Sequence, residues 1–558
     1  MLDAPQNDLK EKLSKLRRDG EERAAQRLAE KLGLSYVDLA KIPVALDAVR
    51  LLPEAEAKDA KVAAIEMKSN KVALAVVDPE LPAAKKVVGE LLEKKYEVKV
   101  VVISPSSMEA AWHFYEFIKP ETGTITGKVT ITEVRLNELK AKLTTIDAVH
   151  KEIAGLQLEN VSPVALIEII LAGAMGLRAS DIHTEAGEKK AKLRFRVDGL
   201  LHDIFDDIPL DTYRTFVSRI KLLSEMKLNV RDAAQDGRFT IGLGNRDIEM
   251  RVAVIPEEFG ETIVMRILDP AATMVTLPQL GLRADNLAMV MKKISQPNGL
   301  ILNTGPTGSG KTTTLYAFLR TMNDPTMKII TLEDPIEYRI EGVEQTQIND
   351  EAGYTFGNGL RAIVRQDPDV ILVGEIRDLE TADIALEAAL TGHLVLSTLH
   401  TNDAVGAVPR LINLGVKAVS IGPALSLAIA QRLVRVLCPE CKKVVDVDAP
   451  TAEKIKKLLD SLPAKVDKKA YDNYKVYAPA GCEKCNGIGY KGRVGVFELL
   501  EGGGDLEKTI LKEASEVSLR EVAARQEMVT MQQDGIFKVL EGKTTFEEVV
   551  TATGDLVW

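Results

Sequence analysis

The chain has 558 residues, 46% of them hydrophobic and 28% charged, with 72 basic against 82 acidic side chains and a formal charge of −10. At about 150 residues per domain this length predicts three to four domains, and the balance excludes a mostly disordered chain, a collagen-like repeat and a disulfide scaffold. The net acidity speaks against a chain that wraps nucleic acid, and the 4 cysteines are too few to act as general staples.

The N-terminus (MLDAPQNDLKEKLSKLRRDGEERAAQR) has no apolar core behind a basic start and does not read as a secretory signal. Leu9, Leu13 and Leu16 fall at i, i+4 and i+7, the spacing of a small docking helix or of an ordinary surface helix. Residues 71–77 (KVALAVV) and 98–103 (VKVVVI) predict strands, with a helix over 81–95 after the Asp78-Pro79 turn signal. Residues 1–120 thus predict a small α/β docking domain without a catalytic constellation. A linker is predicted over 121–160, beginning in the Pro-, Gly- and Thr-rich stretch KPETGTITGK (119–128).

A second domain is predicted over 161–272. It opens with a helix (163–177) and contains a hairpin turning at Asp198-Gly199 and another over 238–254 turning at Gly244-Asn245. Arg194 and Arg196 share one strand face, and Arg238, Arg251 and Arg266 lie on or beside these strands. Taken singly, each arginine is most simply a surface ion pair. No apolar run reaches the roughly 18–20 residues of a membrane-spanning helix, which predicts a cytoplasmic chain that meets a membrane only through partners. Gly502-Gly503-Gly504 predicts a hinge before a helical tail.

The region from 277 to 558 shows the short apolar runs and intervening helical patterns of a parallel α/β core. Residues 300–315 (LILNTGPTGSGKTTTL) place Gly305-Pro306-Thr307-Gly308-Ser309-Gly310-Lys311-Thr312 between an apolar strand and a helix, a phosphate-binding loop in its required context. Glycines let backbone N–H groups turn toward phosphates at a helix N-terminus, where negative charge is favoured. Lys311 is predicted to contact the β/γ-phosphates, Thr312 to ligate Mg²⁺, and Thr313 to extend the loop.

Three further strand ends carry polar groups. Residues 367–378 (DPDVILVGEIRD) read as a buried strand with Gly374 where the second acidic strand of such proteins commonly ends in Asp, so Glu375 faces the metal, partly through water. The strand 328–332 ends in Glu333-Asp334-Pro335-Ile336-Glu337, and ligands bind beyond the carboxyl ends of such strands. Glu333, Asp334 and Glu375 are thus predicted to converge on the γ-phosphate, where a carboxylate can orient and deprotonate the attacking water, whereas Glu337 reads as a surface or N-capping acid. The strand 393–398 is bracketed by His393 and His400, candidate sensors of the γ-phosphate. Two C-x-x-C pairs, Cys438/Cys441 and Cys482/Cys485, suit a structural tetrahedral Zn²⁺ site with no open position for catalysis.

In their order, GPTGSGKTTT, TLEDPIE, DPDVILVGEIRD, TGHLVLSTLHTN and the paired C-x-x-C knuckles resemble the type II secretion and type IV pilus assembly ATPases, the GspE/PilB family. ASDIH, RFRVDG, QDGRF, GYKGRVGVFELL and the tail sequence match as well, and LPEAEAKDAKVAAIE…LAVVDP resembles more loosely the family's N-terminal domain. The resemblance implies an α/β multidomain fold: a RecA-like P-loop core, preceded by a PAS-like α+β domain and a small N-terminal α/β domain. It implies a homo-hexamer that hydrolyses ATP with Mg²⁺ to power pilin or pseudopilin assembly at the inner membrane. Its implied partners are an inner-membrane platform protein and a docking protein of the same machine, with no nucleic acid. It also implies Glu333 as catalytic glutamate, Glu375 as magnesium support, and Arg238, Arg251 and Arg266 as candidate arginine fingers. The tetracysteine subdomain (436–495) and long N-terminal domain favour assembly over retraction, and the helical tail is expected over 505–558. Lys31-Leu32-Gly33 resembles one Arg-Leu-Gly-type motif of relatives that bind cyclic-di-GMP, but without a second copy it weighs against that ligand. A nucleic-acid motor gripping through a zinc ribbon and a non-hydrolysing scaffold are the alternatives.

Overall fold

The computed structural model describes residues 4–39, 44, 46–49, 51–68, 70–117, 128–130, 133–243, 246–269 and 274–557. The chain divides into two units, one of 1–143, 148–197 and 201–267, the other of 144–147, 198–200 and 268–558.

The first unit holds two sheets. Strands β1 (Ser35–Tyr36), β2 (Val62–Lys68), β3 (Lys71–Val76) and β4 (Glu97–Val102) form a sheet of order β1-β4-β3-β2, and the helix Pro82–Glu93 makes the β3–β4 crossover. Ala84, Val87 and Leu91 of that helix are buried, so one apolar stripe seals the sheet. A helix over Ala4–Leu32 precedes it and contains Leu9, Leu13 and Leu16, whose side chains fall outside the described residues. Gly33 (φ 65°) ends that helix, with Leu34 N–H donating to Ala29 O at 2.9 Å, a left-handed cap.

The second sheet contains β5 (Lys128–Thr130), β6 (Asp181–Ala186), β7 (Lys190–Val197), β8 (Leu200–Pro209), β9 (Gln235–Leu243), β10 (Arg246–Glu257) and β11 (Gly260–Leu268), in the order β5-β9-β10-β11-β6-β7-β8. Asp198 (φ 49°) and Gly199 (φ 92°) both take the positive φ that a two-residue hairpin turn needs. The second predicted hairpin is β9–β10, and its turn, Gly244-Asn245, lies outside the described residues. The stretch 121–160 is more structured than a linker. It contains β5, which pairs with β9, and the helices Glu133–Lys142 and Ile146–Ala154. The Pro/Gly/Thr signal covered only its beginning, and residues 118–127 lie outside the described residues.

The second unit is built on a sheet of β12 (Gly299–Thr304), β13 (Ile329–Glu333), β14 (Glu344–Gln347), β15 (Val370–Val373), β16 (Leu394–Leu399), β17 (Leu425–Leu437) and β20 (Tyr490–Glu501), in the order β14-β13-β15-β16-β12-β17-β20. The β12 strand pairs in parallel with β16 and β17, and β20 closes the edge antiparallel to β17. Every residue of β12, β15 and β16 is buried, as expected of parallel strands covered on both faces. Short strands β18 (Lys443–Val445) and β19 (Val476–Ala478) pair inside the cysteine-bearing insert.

The glycine triplet is not a free hinge at its first position. A Cβ at Gly502 would lie 1.7 Å from Leu425 O, and Gly502 N–H donates to Ser426 O, so this glycine permits a close backbone approach. Gly503 then starts the helix Gly504–Lys512. Among the described residues no helix is long and apolar enough to cross a membrane.

Candidate active site

The loop after β12 leads into the helix Lys311–Met322, whose residues Thr314–Leu319 are buried and hold its start against the sheet. Burial of a large apolar side chain such as Phe318 contributes roughly 1.5–3 kcal/mol, so the first turn is anchored from behind. Gly305, Gly308 and Gly310 have φ of 148°, 79° and 88°, conformations that turn backbone N–H groups inward. Thr312 is exposed at the helix N-terminus, where a hydroxyl suits a metal or phosphate. The Lys311 ammonium donates to Gly305 O at 2.7 Å and Pro306 O at 3.1 Å. Burial holds its pKa below the ordinary lysine value; the charge of Glu375 opposes that and the charge of Arg432 adds to it.

Glu375 follows β15 and is mostly buried, its side chain 16% exposed. It pairs with Arg377 and lies 3.4 Å from His400 Nε2. The β16 end is laced to it: Ser397 Oγ donates to Val373 O and Thr398 Oγ1 to Gly374 O, each at 2.8 Å. A side chain at 374 would crowd Leu332 O at 3.3 Å and the Glu333 backbone at 3.4 Å, a packing reason for glycine here. The two candidate histidines therefore separate. His400 sits with Glu375 at the carboxyl end of β16. His393 sits at the opposite end, its Nδ1 3.0 Å from Ala388 O, a structural contact away from the phosphate loop.

Glu333 ends β13 but is 3% exposed. Its carboxylate accepts from Tyr316 OH, from Thr331 Oγ1 at 2.5 Å and from Gln345 Nε2 at 3.2 Å. Burial pushes its pKa up against these three hydrogen bonds, and nearby Glu337 adds to the rise. This enclosure speaks against the expected role of Glu333 as the open carboxylate that holds water. Strand position and segment sequence alone did not reveal the cage that Tyr316 and Gln345 make. Glu337 is half-buried on the following loop, and its backbone interacts with the same Tyr316 hydroxyl.

The arginines of the first unit divide too. Arg266 Nε donates to Asp181 Oδ1 at 2.8 Å, and Arg196 lies 3.5 Å from the same carboxylate, so Arg266 has a structural partner. Arg238 and Arg251 face one another across β9 and β10 in register. Like charges directly opposite destabilise a sheet, a cost that the exposure of Arg238 to water reduces. Arg251 lies 3.9 Å from Glu249; among the described residues no carboxylate pairs with Arg238.

Cys438, Cys441, Cys482 and Cys485 gather with all four sulfurs within 4.8 Å of one another. Three S···S separations are 3.9, 3.8 and 3.7 Å. A disulfide needs about 2.05 Å, whereas four sulfurs at about 2.3 Å from one tetrahedral centre stand about 3.8 Å apart. The donor set and spacing thus fit Zn²⁺. Cys482 N–H and Gly489 N–H donate to Cys485 Sγ; burial raises that thiol's pKa, and these backbone donors bring it below the usual cysteine value. Within the same insert, Ile455, Leu458 and Tyr471 share a core with Ile536, Phe537 and Leu540 of the tail helix Met531–Leu540. A second brace was not foreseen. Asp534, fully buried, accepts from Arg283 at 2.8 Å, Lys538 at 2.6 Å and Phe497 N–H at 2.8 Å. Its residues are scattered at 283, 497, 534 and 538, so only the tertiary fold brings them together.

A parallel sheet with a glycine loop, Lys311 and Thr312 at a helix start, and an acid after the next strand but one defines a P-loop ATPase. The chain belongs to the family described as Type II/IV secretion system protein, whose model matches residues 157–551. It is 37% identical over 530 residues to the Type IV pilus assembly ATPase PilB of Myxococcus xanthus, spanning 94% of this chain and 90% of that one. It is 45% identical over 399 residues to the Type II secretion system ATPase E of Vibrio cholerae, spanning 71% and 77%. Among solved structures the Legionella pneumophila ATPase DotB shares the fold, with a TM-score of 0.52 at 22% identity over 70% of this chain and 95% of that one. A model described as the MshEN domain matches residues 32–116.

Proposed function

We propose that this ATPase is a hexameric motor that powers pilin or pseudopilin assembly at the inner membrane, in a type IV pilus or a type II secretion machine. Similarity to the pilus assembly ATPase over nearly the whole chain supports the first machine, and the tetracysteine insert fits either. Its partners in this reading are a membrane platform protein and a docking protein that meets the N-terminal domain. The chain then works in the cytoplasm, at the membrane only through those partners.

One observation carries the hydrolytic reading: Glu375 faces His400, and its charge acts on Lys311, the lysine of the phosphate loop. In this reading the loop N–H groups and Lys311 hold the β- and γ-phosphates. Thr312 and Glu375 are the residues that would hold Mg²⁺, Glu375 partly through water, and the ion would supply positive charge beside the γ-phosphoryl. His400 senses the γ-phosphate through its contact with Glu375. Glu337 orients the attacking water and takes its proton, while Tyr316 and Glu333 hold that loop in place. Arg238 and Arg251 supply the arginine-finger charge, with Arg266 held back by Asp181. Zn²⁺ on the four cysteines pins the tail.

The test is phosphate release from Mg-ATP by the full chain, with particle mass measured in the same buffer. Mg-dependent turnover by a six-chain particle is expected. Binding of ATP without release of phosphate would overturn the motor reading and leave a scaffold.

A further inference from the structure

We infer that Gln431, on β17, is a positioning residue for the phosphate loop. Gln431 is 1% exposed and lies against both ends of the loop. A Cβ at Gly305 would stand 2.6 Å from its backbone oxygen, and a Cβ at Gly310 would stand 2.8 Å from its Nε2. Both glycines therefore close onto the same residue.

Its side chain also joins the two elements that the loop connects. Gln431 Oε1 accepts from Asn303 Nδ2 at 3.0 Å, on the strand entering the loop, and from Thr314 Oγ1 at 2.8 Å, in the first turn of the helix leaving it. Both partners are fully buried. In a parallel sheet packed on both faces such carboxamides are costly unless they hydrogen-bond. Three polar side chains here bond to one another at the root of a loop that must keep its N–H groups aimed inward. Asn303 Nδ2 further reaches Lys311 O at 3.4 Å, so the cluster touches the residue whose ammonium faces phosphate. Gln431 touches no substrate atom; it fixes the distance between strand end and helix start, and with it the curvature of the loop. Loss of the side chain is therefore expected to weaken nucleotide binding before it slows the chemical step.

This inference rests on reading 305–312 as the nucleotide site, and the experiment separates the two. In the full chain, Gln431→Ala and Thr314→Val are compared with Lys311→Ala and with Val434→Ala, a buried hydrophobic truncation on the same strand. The readouts are Kd for Mg-ADP, KM and kcat for ATP, and thermal midpoint. Gln431→Ala and Thr314→Val are expected to raise Kd and KM about tenfold with kcat within about threefold of wild type. Gln431→Met, which keeps the length of the side chain but not the accepting oxygen, is expected to lose as much as Gln431→Ala. Val434→Ala is expected to lower the thermal midpoint without moving KM. Wild-type KM in both polar variants, or an equal KM change in Val434→Ala at matched midpoint, overturns the positioning role. Unchanged Kd in Lys311→Ala overturns the reading of the site itself. If Gln431→Ala does not fold, Thr314→Val carries the same test.

Discussion

Two neighbouring strands, β13 and β15, end in glutamates that meet opposite surroundings. Glu375 stays within reach of Arg377 and His400 and acts electrically on Lys311. Glu333 is shut beneath Tyr316, Thr331 and Gln345, and burial raises its pKa. The difference teaches that position at a strand's carboxyl end places an acid near a P-loop but does not make it available. Availability is decided by what packs over it, here a tyrosine from the phosphate-loop helix itself.

The comparison can be broken or sharpened in steps. Lys311→Ala removes the cation that both the loop and Glu375 face; ATP turnover is expected to fall at least a hundredfold, to assay background, with circular dichroism unchanged. Glu375→Gln is expected to raise the Mg²⁺ concentration needed for half-maximal turnover by about tenfold or more, read by magnesium titration. A zinc-site variant probes a region remote in sequence. Cys482→Ser is expected to lose one zinc per chain by metal analysis and to lower the thermal midpoint by about 5 °C or more, because insert and tail share one core.

The smallest effect is on stability and has a definite sign. A carboxyl whose folded pKa is raised contributes stability below its unfolded pKa and loses it as pH rises through the folded value. Glu333 is such a group. Glu333→Gln is therefore expected to raise the thermal midpoint by about 2–4 °C at pH 8, with the gain vanishing as pH falls below about 4. A midpoint that drops equally at both pH values would show that the hydrogen bonds of Glu333 outweigh the cost of its burial.

Much of this was legible from local pattern. The strand–glycine–lysine succession at 300–315 is a local device, and the structure realises it with three positive-φ glycines. Asp198-Gly199 foretold its hairpin because positive φ at both turn residues is a one-residue-scale demand. The paired C-x-x-C knuckles foretold a four-sulfur cluster, since each knuckle presents two thiols together. What stayed illegible depends on long-range packing. The enclosure of Glu333 needs Gln345 and Tyr316, the separation of His393 from His400 needs the direction of β16, and the pairing of Arg266 needs Asp181 from another strand. Gln431 is 128 residues from Asn303, and no spacing rule joins them. The linker reading of 121–160 failed for the related reason that β5 becomes a strand only by pairing with β9.

The central claim is that Glu337, on the loop beyond β13, activates the water and the buried strand-end Glu333 does not. Its most direct test is single-turnover phosphate release from Mg-ATP by Glu337→Gln and Glu333→Gln, measured beside the wild type at saturating nucleotide. The account predicts a loss of about a hundredfold or more in Glu337→Gln, with ATP still bound, and less than about tenfold in Glu333→Gln. The reverse order would contradict it and return the water-activating role to the buried glutamate of β13.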